Sequence, residues 1–245
     1  MSNHPAGPSS RVELGFLFMA RLVFFVDGFN LYHALNYFES GPDHVRYHKY
    51  KWISLRKLAN CYVTRKDSIE GILYFTTIAT WDPAKAGRHR LFIRVQQSEG
   101  VNVVYGEFKR KEKLCRLCHR YFWTFEEKQT DVNIALHLFQ LAVKDIYDKA
   151  IIISGDTDLI PAIKAIQATF PGKQLGVVIP IGRSSEDLKK VADFHYKMKE
   201  KHLASSHLPD SVTLVMVRLQ PVLPLGSNWL GTRQHESFSL TAHIE

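Results

Sequence analysis

The sequence has few cysteines and no long hydrophobic run. Three cysteines among 245 residues cannot form a disulfide framework, and the N-terminus lacks the basic, apolar and small-residue pattern of an export signal. The longest apolar stretches, such as Leu14–Ala20, fall short of the roughly 18 residues that span a bilayer. These absences exclude a disulfide-rich domain and an integral membrane protein, and they predict a soluble protein of the reducing cytoplasm.

A glycine-rich phosphate loop and internal repeats are missing as well, which argues against an NTPase and a repeat protein. Acidic residues are in the minority. The 32 Lys and Arg outnumber the 24 Asp and Glu, so the formal net charge is +8. This excess favours polyanionic partners through long-range attraction.

The chain divides into a regular core and two unusual ends. Residues 1–18 are rich in Pro, Gly and Ser and are predicted to be a disordered leader, and Met19 is a candidate for the native start. Residues 19–205 form the predicted domain, with an insertion over residues 106–130 that is predicted to be a basic hairpin carrying a Cys-x-x-Cys motif. Residues 206–245 contain prolines and turn residues, and we expect an irregular tail that departs from the rest of the chain, as a shifted reading frame would.

Within the core, apolar strands alternate with helical patterns. The clearest strands are the continuous apolar runs Arg21–Val26 and Ala150–Ser154. A helix is predicted over Asp131–Tyr147 from its apolar spacing, and Asp82-Pro83 marks the start of another. This alternation predicts an α/β fold in which a mostly parallel central sheet lies between two helical layers, a three-layer α/β/α sandwich.

Polar side chains directly follow these two strands. They are Asp27 and Asn30 after the first, and Ser154, Asp156, Thr157 and Asp158 after the second. Open parallel sheets bind ligands outside the carboxyl ends of their strands, so we expect the acids to meet at one edge. Their mutual repulsion there would raise their pKa values unless a cation binds. Turn formation and helix capping by Asp156 or Asp158 are the alternative interpretation.

Asp131 shares a helix face with Leu138 and Ala142, the face predicted to pack on the sheet. We interpret it as a metal ligand that faces Asp27 and Asp156. The alternative is an acid that complements the helix dipole, with Thr130 as the cap. Mg²⁺ and Mn²⁺ prefer carboxylate oxygens and support phosphate chemistry, so an all-aspartate cluster suits them better than zinc.

Three segments together resemble a known family. They are VDGFNLYHAL at residues 26–35, EEKQTDVNIALHL at residues 126–138, and IIISGDTDLIPAI at residues 151–163, which GKQLGVVIP follows at residues 172–180. In order and spacing the set resembles NYN-domain proteins of the LabA-like group, part of the PIN-like nuclease superfamily.

The resemblance implies a PIN-like sandwich whose acidic pocket binds Mg²⁺ or Mn²⁺ and hydrolyses RNA. It implies that the catalytic acids and metal ligands are Asp27, Asp131, Asp156 and Asp158. Asn30 would orient the substrate or a metal-bound water, and Ser154 and Thr157 would line the same loop and contact the substrate.

The insertion combines positive charge with aromatic rings. Seven Lys or Arg are interleaved with Phe108, Tyr121, Phe122, Trp123 and Phe125. Such a mixture holds single-stranded nucleic acid by neutralising phosphates and stacking bases. The candidate RNA contacts are therefore Lys109, Arg110 and Lys111 here, and Trp81 and Arg183 outside the insertion. The alternative is a solvated hairpin with its aromatic side chains packed on the core.

Cys115, Cys118 and His119 form a Cys-x-x-Cys-His string inside the insertion. A structural zinc site needs four ligands, so this is half a site. A further histidine or a second copy in a homodimer would complete it, whereas two reduced, unligated thiols are the simpler interpretation. Covalent haem attachment also uses this string, but the absent export signal argues against it.

The leading hypothesis is a cytoplasmic, metal-dependent ribonuclease. Two alternatives remain open. One is a non-catalytic RNA-binding or regulatory module, and the other is a metal-dependent phosphatase that acts on a small phosphorylated molecule.

Overall fold

The structure is a computed structural model that describes residues 19–36, 47–209, 211–215 and 239–243. The predicted leader, residues 1–18, lies outside them. Short 3-10 turns occupy His48–Lys51 and Thr157–Leu159. The other elements are β1 Ala20–Asp27, α1 Gly28–Asn36, α2 Leu55–Asn60, β2 Asp67–Thr76, α3 Pro83–Ser98, β3 Asn102–Tyr105, β4 Glu107–Leu114, β5 Tyr121–Lys128, α4 Thr130–Val143, β6 Lys149–Ile153, α5 Ile160–Thr169, β7 Gln174–Ile179, α6 Glu186–Val191, β8 Phe194–Lys197, α7 Glu200–Ser205, β9 Ser211–Val215 and β10 Ser239–His243.

Six of these strands form one parallel sheet in the order β3-β2-β1-β6-β7-β8. After β1, the chain adds β2 and β3 on one side. It then returns to β6, which pairs with β1, and adds β7 and β8 on the other side. The point between β1 and β6 is therefore the topological switch of the sheet, where the two halves leave a crevice at the carboxyl ends of the strands.

Helices cover both faces of the sheet. Along β1, Leu22 and Phe24 pack into one buried cluster with α1, α2, α3 and α7. Val23 and Phe25 pack into the other cluster with α4, α5 and α6. Because both faces are buried, β1 is continuously apolar, and the predicted three-layer α/β/α sandwich is confirmed.

Most predicted elements form with shifted boundaries. Helix α3 begins after Asp82 as expected, because the Asp82 carboxylate accepts a hydrogen bond from the Lys85 N–H. Helix α4 ends at Val143, before the predicted Tyr147, and the chain then leaves helical geometry at Asp145, which has φ 52°. The predicted helix from Asp158 begins instead with a 3-10 turn.

The insertion and the tail contain regular structure. Strands β4 and β5 pair antiparallel as a separate two-stranded hairpin, as predicted for the insertion. The expectation of an irregular tail is wrong for two segments, because β9 and β10 pair antiparallel. The polar-apolar alternation of Ser211–Val215 is the strand pattern that the surrounding prolines obscured. Within the described ranges, no helix is long and apolar enough to cross a membrane.

Candidate active site

Asp27 is the last residue of β1 and lies at the switch point. It is 3% exposed. Its carboxylate accepts hydrogen bonds from the Asn30 backbone N–H (2.9 Å) on Oδ1 and from the Ser154 hydroxyl (2.8 Å) on Oδ2. Gly28 must follow it, because a Cβ at that position would stand 2.6 Å from the Phe75 carbonyl oxygen. The carboxylate is thus held in one orientation, while each oxygen keeps a further lone pair for a ligand.

Asn30 and Ser154 join the two halves of the switch. The Asn30 side-chain oxygen accepts a hydrogen bond from the Gly155 N–H (3.0 Å), and the Ser154 hydroxyl oxygen accepts one from the Asp156 N–H (3.0 Å). The loops after β1 and β6 are therefore fastened to each other through Asp27. The structure brings these three residues together as predicted from the ends of the strands.

Asp156 caps the short turn Thr157–Leu159, as the alternative interpretation expected. Its Oδ1 accepts a hydrogen bond from the Asp158 N–H (2.9 Å). Asp156 is half-buried, whereas Thr157 and Asp158 are exposed at the rim. One oxygen of Asp156 is thus occupied by capping and the other is available to a ligand. Capping and ligand binding are compatible here.

Asp131 is half-buried in the first turn of α4, close enough to Asp27 and Asp156 for their charges to affect its pKa. Thr130 does not cap this helix. The position before the helix is Gln129, which has φ 76°, while the Thr130 hydroxyl donates to the Glu127 carboxylate. The charged groups that most affect the pKa of Asp131 are Asp156, Asp27, Glu127 and Asp158, all of them acidic. Asp131 therefore belongs to the cluster electrostatically.

The pKa values of the two central acids report a crowded site. Burial, followed by the charges of the neighbouring acids, raises the pKa of Asp131 to about 6. Burial also raises the pKa of Asp27 to about 6, although hydrogen bonds from Asn30 and Ser154 oppose the shift. A divalent cation between these carboxylates would offset their repulsion.

Glu127 is a member of the site that sequence reasoning missed. It lies near the end of β5, in the segment that the sequence predicts to be a basic hairpin. Its carboxylate accepts hydrogen bonds from the backbone N–H (3.2 Å) and the hydroxyl of Thr130, and its charge raises the pKa of both Asp27 and Asp131. The available signal was a glutamate three residues before a helix start.

Adjacent residues of β5 face opposite environments. Glu126 forms ion pairs with Lys111, Lys113 and Lys128, which lower its pKa to about 2. Glu127 points to the other side of the strand, as the two-residue period requires. One glutamate therefore stabilises the surface of the hairpin and the other contributes to the acidic crevice.

The chemistry of this donor set fits a hard divalent cation. Five carboxylates lie at the carboxyl edge of the sheet: Asp27, Glu127, Asp131, Asp156 and Asp158. Mg²⁺ and Mn²⁺ bind such oxygens together with several waters. In the part of the chain that the structure describes, no three acidic, His or Cys side chains already stand in a metal-ligating arrangement. Ligation would therefore need side-chain rotation, which the exposed and half-buried acids allow.

The predicted RNA contacts differ in their surroundings. Lys111 pairs with Glu126, the Arg110 guanidinium lies 3.8 Å from the centre of the Trp123 ring, and Lys109 is exposed opposite Glu126. Trp81 stacks on Phe125 with ring centres 3.7 Å apart, so one face of its indole is already covered. This stack ties the hairpin to the body of the domain.

Arg183 lies beside the acidic loop. A Cβ built on Gly155 would lie 3.6 Å from the Cβ of Arg183. The structure thus brings Arg183 next to the switch point, whereas Lys109, Arg110 and Lys111 lie on the separate hairpin.

A cavity of about 340 Å³ adjoins the acidic edge. Tyr74 and Phe92 line it with ring centres 5.8 Å apart. The ammonium groups of Lys51 and Lys85 lie 5.7 and 5.6 Å from the centre of the Tyr32 ring and make that side of the cavity cationic. No pattern in the sequence indicated this cavity, because residues from distant parts of the chain line it.

Cys115 and Cys118 lie at the tip of the hairpin as free thiols. In the described ranges no third His, Cys, Asp or Glu side chain, His119 included, joins the two cysteines in a metal-ligating arrangement. The predicted half-site is thus still half a site.

Comparisons with known proteins agree with this architecture. A profile of the NYN domain matches residues 21–199. A 6-hydroxy-3-succinoylpyridine 3-monooxygenase from Pseudomonas putida is 25% identical over 223 residues, which cover 75% of this chain and 67% of the relative. The crystal structure of a protein of unknown function from Vibrio parahaemolyticus superposes with a TM-score of 0.52 at 19% identity, covering 75% of this chain and 95% of the other. The latter shows a shared fold.

Proposed function

Since this chain belongs to the NYN-domain family of the PIN-like nuclease superfamily, we propose that it is a ribonuclease that uses a divalent metal ion. One observation carries the proposal. Five carboxylates converge where the sheet reverses, and the neighbouring charges that most influence Asp27 and Asp131 are acidic. A fold tolerates such repulsion where a bound cation or a reaction requires it.

Asp27, Asp131, Asp156 and Asp158 would hold the metal, Mg²⁺ or Mn²⁺. When bound, such an ion lowers the pKa of an attacking water and neutralises charge on the phosphate. Asp27 is the fixed member of the set, because Asn30 and Ser154 orient it. Asp131 would reach the metal from α4 and Asp156 from the loop after β6, while Asp158 and Thr157 are exposed where the RNA backbone would pass.

The surroundings suit a single RNA strand in a reducing cytoplasm. The cavity offers aromatic faces for one nucleobase and lysines for the flanking phosphates, while Lys109, Arg110 and Lys111 extend the cationic surface along the hairpin. His89 in the cavity wall does not add to this charge near neutral pH, because burial and then the nearby Lys85 lower its pKa.

The test is cleavage of end-labelled single-stranded RNA in the presence of Mn²⁺. Loss of residues that merely support metal ligands costs about 10–100-fold, so Asp27→Asn and Asp131→Asn should each lower the rate by at least about 100-fold. Asp187→Asn, which changes an exposed aspartate of α6 (side chain 72% exposed), is the matched control and should cleave at the wild-type rate. Thermal melts check that all variants fold.

Other outcomes select the alternatives. Wild-type cleavage that persists in both variants would overturn the assignment. Salt-sensitive RNA binding without cleavage, unchanged in both variants, would indicate a non-catalytic RNA-binding module. Release of phosphate from phosphomonoesters, but no RNA cleavage, would indicate a phosphatase.

A second candidate function follows from the cavity. The Pseudomonas relative is named for 6-hydroxy-3-succinoylpyridine, a single aromatic ring with an acid side chain. The cavity presents aromatic walls and two lysines to a ligand of that class. We infer that it binds small aromatic anions. Calorimetry with this compound should show binding that Lys85→Ala weakens and Lys201→Ala, remote from the cavity, does not.

A further inference from the structure

The tip of the hairpin is a tight turn with defined geometry. The Cys115 N–H donates to the Arg120 carbonyl (2.9 Å), and the His119 N–H donates to the Cys115 carbonyl (2.9 Å). His119 has φ 52°, in the left-handed region, and so reverses the chain after Cys118. A non-glycine residue in this conformation is uncommon and indicates that the surrounding turn holds it there.

The turn also brings the two cysteines close together. Hydrogen bonding from the backbone N–H groups of Cys118 and Leu117, and then from the Cys118 thiol, lowers the pKa of the Cys115 thiol. Because the Cys118 thiol is among the groups that act on the Cys115 sulfur, the two sulfurs lie near each other, as two ligands of one soft metal ion must.

The tip is open to solvent. Leu117 is 94% exposed, and Cys118, Arg116 and Arg120 are exposed as well. The third cysteine is elsewhere, because Cys61 follows α2 and its sulfur lies 3.5 Å from the Ser205 hydroxyl of α7. One copy of the chain, in its described part, thus offers two sulfur ligands and leaves their outer side uncovered.

We propose that Cys115 and Cys118 from two copies of this chain bind one zinc ion between their hairpin tips. Zinc is the metal that four thiolates in a closed tetrahedral set select. Two copies related by a two-fold axis present the same pair of ligands twice and so complete the set. The site lies outside the acidic cluster and does not depend on the proposed ribonuclease activity.

The charges at the tip agree with this arrangement. Each cysteine thiol loses its proton when it binds zinc, so an ion with four thiolates carries a net charge of −2. Arg116, between the two cysteines, and Arg120, directly after the turn, bring four positive charges from two copies to this centre. Without the metal, the same arginines would repel each other across the contact.

The experiment measures zinc and mass on the full chain purified with a reductant and without chelator. We expect half a zinc ion per chain by elemental analysis, in a particle with the mass of a dimer by light scattering. Cobalt(II) in place of zinc should give the visible absorption of a tetrahedral four-sulfur site. Cys115→Ser and Cys118→Ser should each lose the metal and the absorption, whereas Cys61→Ser, the matched control, should keep both.

Three results would overturn the proposal. The first is one zinc ion per monomer, which would indicate a site completed within the chain. The second is no zinc even after incubation with the ion under reducing conditions. The third is full zinc binding by both Cys115→Ser and Cys118→Ser. RNA cleavage by Cys118→Ser should equal that of the wild type, so the result is independent of the ribonuclease proposal.

Discussion

The two edges of the central sheet both carry aspartates, but their environments are opposite. At the amino ends of the strands, Asp67 pairs with Lys149 (2.7 Å) and Asp148 with Arg21 (2.7 Å). Hydrogen bonding to Arg21 holds the pKa of Asp148 below its usual range, and Lys149 does the same for Asp67 against the opposing effect of burial. At the carboxyl ends, Asp27 and Asp131 have raised pKa values.

This difference separates acids that are paired with cations from acids that are clustered with other acids. At the amino edge the chain places a cation beside each of the two acids. It gathers acids at the carboxyl edge, where parallel sheets bind ligands, and the charges that most affect the pKa values of Asp27 and Asp131 there are acidic. The comparison makes the acids of the two edges respond in opposite directions to the same experiments.

The largest effect on stability is expected for Lys149→Met at the amino edge. The Asp67 side chain is 4% exposed and would lose its cation. Breaking a buried pair costs about 3–5 kcal/mol, and because Lys149 is partly exposed we expect about 3 kcal/mol, which lowers Tm by roughly 6–12 °C. The pair stabilises the fold above the ordinary pKa of aspartate and ceases to do so as pH falls, so the deficit should shrink in acid. Asp67→Asn combined with Lys149→Met should recover part of the loss, and an unchanged Tm would contradict the assignment.

The next largest effect is expected from Mn²⁺ at the carboxyl edge. An ion that binds only the folded state stabilises it by about 2.7 kcal/mol at 100 times its Kd. Differential scanning calorimetry should show a rise of Tm with Mn²⁺ in the wild type and in Asp148→Asn, and little or none in Asp27→Asn. Equal stabilisation of all three proteins would place the ion elsewhere.

A matched pair of substitutions should then have opposite signs without metal. Because the folded-state pKa of Asp131 is raised, its ionisation destabilises the fold increasingly between the ordinary aspartate pKa and about pH 6, and fully above that. Asp131→Asn should therefore stabilise the protein near neutral pH. Allowing for solvent screening of this half-buried group, we expect about 1 kcal/mol, or 2–4 °C in Tm.

Asp148→Asn should do the reverse. Its lowered pKa gives a stabilisation that is present above the ordinary aspartate pKa and lost as pH falls, so the substitution should destabilise by up to about 1 kcal/mol near neutral pH. Thermal melts with a chelator from about pH 4 to pH 8 measure both variants, and both differences should shrink toward the acid end. Shifts of the same sign would remove the distinction between the edges.

The smallest effect concerns the two neighbouring glutamates of β5. Glu127→Gln removes a charge that raises the pKa of Asp27 and Asp131 while keeping an oxygen for the Thr130 N–H, so both pKa values should fall. Glu126→Gln, on the lysine side, should leave them unchanged. Titration of the aspartate carboxyl carbons by NMR measures the pKa values of Asp27 and Asp131 in each variant. Unchanged pKa values in Glu127→Gln would exclude Glu127 from the cluster.

The sequence predicted what local pattern controls. Continuous apolar strands on both sides of the switch predicted a parallel sheet, and polar residues at the ends of those strands predicted that Asp27, Asn30, Ser154 and Asp156 meet. Asp131 could be predicted in the same way, because its spacing from Leu138 and Ala142 defined the helix face that it shares with them.

Glu127 and the cavity could not be predicted because their positions depend on tertiary arrangement. Which side of β5 faces the crevice depends on how the hairpin docks, and the stack of Trp81 on Phe125 contributes to that docking. The end of α4 was misjudged for a related reason. Tyr147 fits the helical apolar spacing, but it reaches the core from a loop in which Asp145 has already reversed the chain.

The hairpin has a mechanical consequence. Its strand β5 runs from Tyr121, near the cysteine turn, to Lys128, and eight extended residues cover about 26 Å. Glu127 sits at the inner end of this rod and the thiols at the outer end. A second copy bound at the outer end would therefore stand clear of the crevice and leave its carboxylates open to a ligand.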